Sequence, residues 1–107
     1  MTLRLLAACA VMLAGAASAE PFFQSELLFP LQPQHAHSST VAECPNGDLV
    51  ACWFQGSGER TAKDVALFGA RLRKGQSVWS APFPMADTPN FPDCNPVLFV
   101  DAHGDLR

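Results

Sequence analysis

His37, Glu59, Arg60, Asp64 and Asn95 are the residues of this 107-residue sequence whose types and positions suit proton transfer and anion binding. His37, with His35 two residues before it, precedes a polar Ser38-Ser39-Thr40 run. An imidazole titrates near neutrality and serves as general acid or base. Glu59 and Arg60 end a Gln55-Gly-Ser-Gly-Glu-Arg60 segment whose glycines allow a tight, exposed loop. An arginine there can clamp a carboxylate through two parallel hydrogen bonds. Glu59 beside it can orient the guanidinium or exchange a proton. Asp64 closes the loop at the mouth of the next strand, a place for a general acid if its pKa is raised. Asn95, ahead of Pro96, offers a polar side chain at the start of a later strand. The sequence contains no Gly-x-Ser-x-Gly nucleophile motif, phosphate loop or dinucleotide fingerprint. The cysteine spacing is not a zinc pattern, no metal-ligand cluster is read, and no cofactor is implied.

Residues 1–19 read as a secretory signal peptide: Arg4, an apolar run from Leu5 to Leu13, and Ala17-Ser18-Ala19 as a small-x-small cleavage site. The apolar run is too short for a membrane span. The expected location is therefore secreted or periplasmic. Cleavage leaves 88 residues with 6 basic and 10 acidic side chains. That acidic balance lacks the basic footprint of a nucleic-acid binder. Of the four cysteines, Cys9 lies in the signal, leaving Cys44, Cys52 and Cys94. A two-residue Asn46-Gly47 hairpin turn pairs Cys44 with Leu49 and Val41 with Cys52. Cys44 and Cys52 then point to opposite faces of the sheet. Cys94 remains open to pairing with either one, or all three remain thiols.

These side chains need a scaffold, and the pattern is all-β. Residues 20–36 form an N-terminal arm punctuated by prolines, with Phe22, Phe23, Leu27, Leu28 and Phe29 in need of cover. Strands are predicted over His37–Cys44, Leu49–Phe54, Asp64–Arg73 and, briefly, around Val78-Trp79. The nearly continuous apolar run of the second strand predicts burial on both faces. A proline-rich crossing follows from Ala81 to Pro96, then a strand over Asn95–Asp101 and a turn at Ala102-His103-Gly104-Asp105.

The first and last hairpins can be laid over one another. Both carry Gly-Asp-Leu after a strand and a turn, with Gly47 and Gly104 separated by 57 residues. Four strands followed by the start of a similar unit is the pattern of a β-propeller blade. Repeat units cover their apolar faces only with neighbours. Residues 37–107 are thus expected to be the N-terminal part of a larger, truncated propeller domain. A small six-strand sandwich is the competing architecture.

From His37 to Pro82 the chain resembles the first blade of the sialidase superfamily, in particular bacterial sialidase-like proteins with divergent BNR repeats. The resemblance rests on His37-Ser-Ser-Thr-Val-Ala-Glu and on Pro45-Asn-Gly-Asp-Leu-Val-Ala-Cys-Trp-Phe-Gln-Gly-Ser-Gly-Glu-Arg60. It continues through Asp64-Val-Ala-Leu, Val78-Trp-Ser-Ala-Pro82 and Asn95-Pro-Val-Leu-Phe. It implies a six-bladed propeller and an exo-glycosidase acting on acidic glycans, with an arginine triad on the sugar carboxylate. Arg60 matches a loop arginine of that triad, and Asp64 the acid/base aspartate. Where the family carries an Arg-Ile-Pro motif, this chain has His37-Ser38-Ser39. The chain has no tyrosine to match the family nucleophile. The histidine suits related propellers that cleave uronic-acid or rhamnose glycans as lyases or hydrolases. A non-catalytic propeller that binds glycans or proteins is a further alternative.

Overall fold

A computed structural model describes residues 19–107. Apart from Ala19, the predicted signal peptide lies outside the described residues. Four antiparallel strands form one open sheet in sequential order: β1 (His35–Glu43), β2 (Leu49–Gly56), β3 (Ala66–Leu72) and β4 (Phe83–Ala86). The described residues contain no helix, and so none long and apolar enough to cross a membrane.

The β1–β2 register departs from the sequence expectation by one residue. Glu43 pairs with Leu49, and Thr40, not Val41, pairs with Cys52. The connection is a three-residue loop, Pro45-Asn46-Gly47, closed by Cys44 and Asp48. The Cys44 N–H donates to the Asp48 carbonyl (2.8 Å) and the Gly47 N–H to the Cys44 carbonyl (2.8 Å). Pro45 explains the difference. In a two-residue turn Pro45 would flank the loop, where a backbone N–H must donate across the strands, and proline has none. Its fixed φ suits the first corner of a type I turn, and Gly47, at φ 84°, takes the left-handed position that ends the three-residue loop. Cys44 and Cys52 therefore share a face, contrary to expectation. They still cannot be bridged, since four residues along a strand span about 13 Å and a disulfide needs Cα atoms within about 7 Å. Cys44, Cys52 and Cys94 are all free thiols, so neither pairing open to Cys94 is present.

Strand β2 is buried on both faces, as its apolar run predicts. One face carries Ala51 and Trp53, which pack with Ala70 of β3 and with Phe68 and Trp79. The arm supplies the cover: Leu28 and Phe29 lie on this core, and the Phe29 ring stacks on Trp53 with centroids 4.9 Å apart. Gln55 secures the arm. Its side-chain amide donates to Gln32 (3.2 Å) and Gln34 (2.8 Å), and its carbonyl accepts from the Trp53 indole (3.0 Å). Phe22, Phe23 and Leu27 remain exposed. The opposite face of β2 carries Val50, Cys52 and Phe54, each at most 3% exposed.

The fourth strand is not at Val78-Trp79. Trp79 instead packs into the core, and its indole donates to Glu26 (3.3 Å). Ser80 makes the first contact with β3, donating its N–H to the Arg71 carbonyl (2.8 Å) and accepting the Arg71 N–H on its hydroxyl (3.0 Å). The paired strand begins at Phe83, inside the segment expected to be a crossing, and Phe68 pairs with Pro84. An edge strand can carry proline because one of its two rows of backbone groups needs no partner. The strand expected over Asn95–Asp101 is reduced to a single bridge, Val100 with Leu106, flanked by reciprocal bonds between Phe99 and Arg107.

The last hairpin repeats the first turn. The Asp101 N–H donates to the Asp105 carbonyl (2.9 Å) and the Gly104 N–H to the Asp101 carbonyl (3.0 Å), with Gly104 at φ 85°. The 57-residue repeat is thus one turn geometry used twice. The two turns are neighbours: a Cβ on Gly104 would lie 3.5 Å from Cγ of Pro45. Farther along, the Leu98 N–H donates to the Thr40 hydroxyl (3.4 Å).

Candidate functional site

The site is built at the open end of β1 and β2, and a bulge sets its direction. Between the pairs His37–Phe54 and Thr40–Cys52, two residues, Ser38 and Ser39, oppose Trp53 alone. Ser38 sits at φ 49°. Continuing the register from Thr40 without the bulge would place His37 opposite Gln55, on the face covered by the arm. The extra residue reverses the alternation. His37 consequently shares the face of Phe54, their rings 5.6 Å apart. His35, two residues earlier, points the same way, and the two imidazoles stack at 5.4 Å and 11°.

The loop after β2 folds back toward these rings. Glu59 comes to them, and one potential ligand atom from each of His35, His37 and Glu59 lies within 4.8 Å of the other two. All three residues are exposed. Arg60 stays at the loop tip, its Nε 3.8 Å from a Glu59 carboxylate oxygen. An exposed pair this long contributes little stability, so both groups are available to a ligand. The His37 Nδ1 and the Ser38 hydroxyl are 3.3 Å apart.

Asp64 precedes β3 instead of opening it, and its carboxylate accepts the Ser57 hydroxyl (2.8 Å) and the Ser57 N–H (3.2 and 3.3 Å). Those bonds staple the two ends of the loop that carries Glu59 and Arg60. Asp64 thus positions the loop from its base. Asn95, at φ 54°, follows Cys94, whose thiol approaches the Glu59 carbonyl (3.8 Å). The fold therefore brings Glu59 to His37, keeps Arg60 beside Glu59, and closes the base of their loop through Asp64.

The grouping of His35, His37 and Glu59 is not legible in the sequence. The His35-x-His37 alternation was visible, but Glu59 is distant in sequence and reaches the pair only through the β1–β2 pairing. On the other side of the sheet, a cavity of about 790 Å³ lies between the arm and the strands. Leu28, Phe29, Gln32, Trp53 and Trp79 line it, and His37 borders it. The chain matches no family model, no curated protein and no solved structure.

Proposed function

We propose that the chain supplies the opening blade of an exported, sialidase-like β-propeller that acts on acidic glycans. The observation that carries this reading is the convergence of His37, Glu59 and Arg60 at one end of a four-strand meander. Arg60 is placed at a loop tip to clamp a sugar carboxylate, and His37 to move a proton at the glycosidic bond. Two features support the propeller. The strands run in simple sequential order, and a second hairpin with the same turn lies directly beside the first. That is how consecutive repeat units pack.

A second reading has its own support. Both Asp64 oxygens are engaged by Ser57, which suits a fastener better than an acid catalyst. His37 then becomes the principal proton carrier, as in a propeller that cleaves uronic-acid or rhamnose glycans.

The test is turnover by the gene product carrying this chain, offered a fluorogenic sialoside and a rhamnose–glucuronate polymer. Sialoside release supports the first reading. An unsaturated uronate product supports the second. In either case His37→Ala should lower turnover more than about tenfold, within the usual range for acid–base groups. Saturable binding of an acidic oligosaccharide without turnover identifies a non-catalytic glycan binder. Absence of both binding and turnover overturns the proposal.

A further inference from the structure

The structure assigns a zinc-type divalent metal site to His35, His37 and Glu59. This inference rests only on the donor set and its geometry, and it competes with the glycan reading for His37, whose lone pair a bound ion would occupy. Two imidazoles and one carboxylate are the ligands of an open zinc site that leaves a fourth position to water. Nitrogen donors favour zinc and its first-row neighbours over the hard cations calcium and magnesium, which take oxygen.

Three independent features of the fold create the site. Alternation along β1 puts His35 and His37 on one face, and their parallel stacking holds both rings at a common height. The Ser38-Ser39 bulge turns that face away from the arm. The loop fastened by Asp64 and Ser57 then delivers Glu59. The ligand atoms lie within 4.8 Å of one another. Tetrahedral zinc, with bonds of about 2.0–2.2 Å, holds its ligands about 3.3 Å apart. All three side chains are exposed, so small torsional changes close that difference without disturbing the core.

The surroundings suit a metal ligand as well. In the tautomer whose Nδ1–H donates a hydrogen bond to the Ser38 hydroxyl, Nε2 of His37 is the lone-pair nitrogen. Outer partners of this kind orient metal-binding histidines. The Arg60 guanidinium is the cation now nearest to Glu59, and at 3.8 Å it holds the carboxylate loosely. A bound ion would replace it.

The experiment is a zinc titration of the purified protein, followed by calorimetry and by the imidazole nitrogen resonances. We expect one equivalent to bind, with both histidines perturbed, and no response to calcium. His35→Ala and Glu59→Gln should each weaken binding by about tenfold or more. These side chains are exposed, so folding should survive, and circular dichroism checks it. Arg60→Ala should retain zinc while impairing capture of an acidic sugar, which separates this site from the proposed glycan function. The assignment is overturned if zinc binds no more tightly than about 1 mM. It is equally overturned if binding survives loss of either histidine but disappears in Cys94→Ser.

Discussion

The carboxylate of Asp48 accepts the backbone N–H of Lys74 at 2.9 Å and so joins the β1–β2 turn to the turn that ends β3. Asn46 and Arg71 complete its surroundings: the Asn46 amide donates at 3.2 Å, and the Arg71 guanidinium lies 3.7 Å away. Of these influences the Lys74 N–H is the strongest, and together they hold the Asp48 carboxyl below its usual 3.8, against the opposing effect of burial.

Asp48 should therefore contribute an acid-sensitive part of the stability. A carboxyl whose folded pKa is depressed stabilises the fold fully above its unfolded value. That contribution fades as pH falls below about 3.8 and through the lower folded value. Asp48→Asn should lower the melting temperature by several degrees at pH 7. The gap from wild type should shrink as the pH is taken below the usual carboxylate range. Thermal melts of both proteins at stepped pH check this, and a gap that is constant down to strongly acid pH contradicts it.

The turn itself should be sensitive at Gly47. With φ at 84°, an L side chain there costs about 1–2 kcal/mol. A Cβ would also meet the Lys74 side chain, a flexible neighbour able to move aside. Gly47→Ala should reduce stability in urea by about that amount, and Gly47→Asn by less, since asparagine tolerates this conformation. Gly104→Ala should act mainly on the last hairpin, raising amide exchange over 99–107. Equal stability of Gly47→Ala and wild type would show that the three-residue loop is not the one adopted in solution.

Thiol reactivity should follow burial. Cys52 is 2% exposed, and burial pushes its thiol upward, whereas Cys44 and Cys94 are half-buried. The thiolate is the reactive form. Alkylation read by peptide mass should label Cys44 and Cys94 in the native protein and Cys52 only after denaturant is added. Early labelling of Cys52 would contradict its placement inside the sheet.

Much of the scaffold is legible in the residues. The apolar run from Leu49 to Phe54 predicts a strand covered on both sides, and β2 is that strand. Trp53 is core, and Trp79 packs against it. The repeated Gly-Asp-Leu reads as a repeated turn, and the two turns share their hydrogen bonds. The register is legible too: Pro45, flanking Asn46-Gly47, has no N–H, which excludes the two-residue turn. The position of β4 was hidden because prolines discourage a strand everywhere except at an edge, and edge position is a property of the whole sheet.

What the residues alone determine is local: which segments alternate, which are buried on both faces, where the chain must turn, and which side chains can carry charge or protons. Each follows from the conformational limits and solubility of neighbouring residues. The tertiary structure decides what those side chains meet. A bulge at Ser38-Ser39 selects the face on which His35 and His37 emerge. The bonds from Ser57 to Asp64 fasten the base of the loop that brings Glu59 near the imidazoles. Side-chain alternation has a period of two, so one extra residue reverses every direction beyond it. Proximity across more than twenty residues depends on that direction, and no local pattern encodes it.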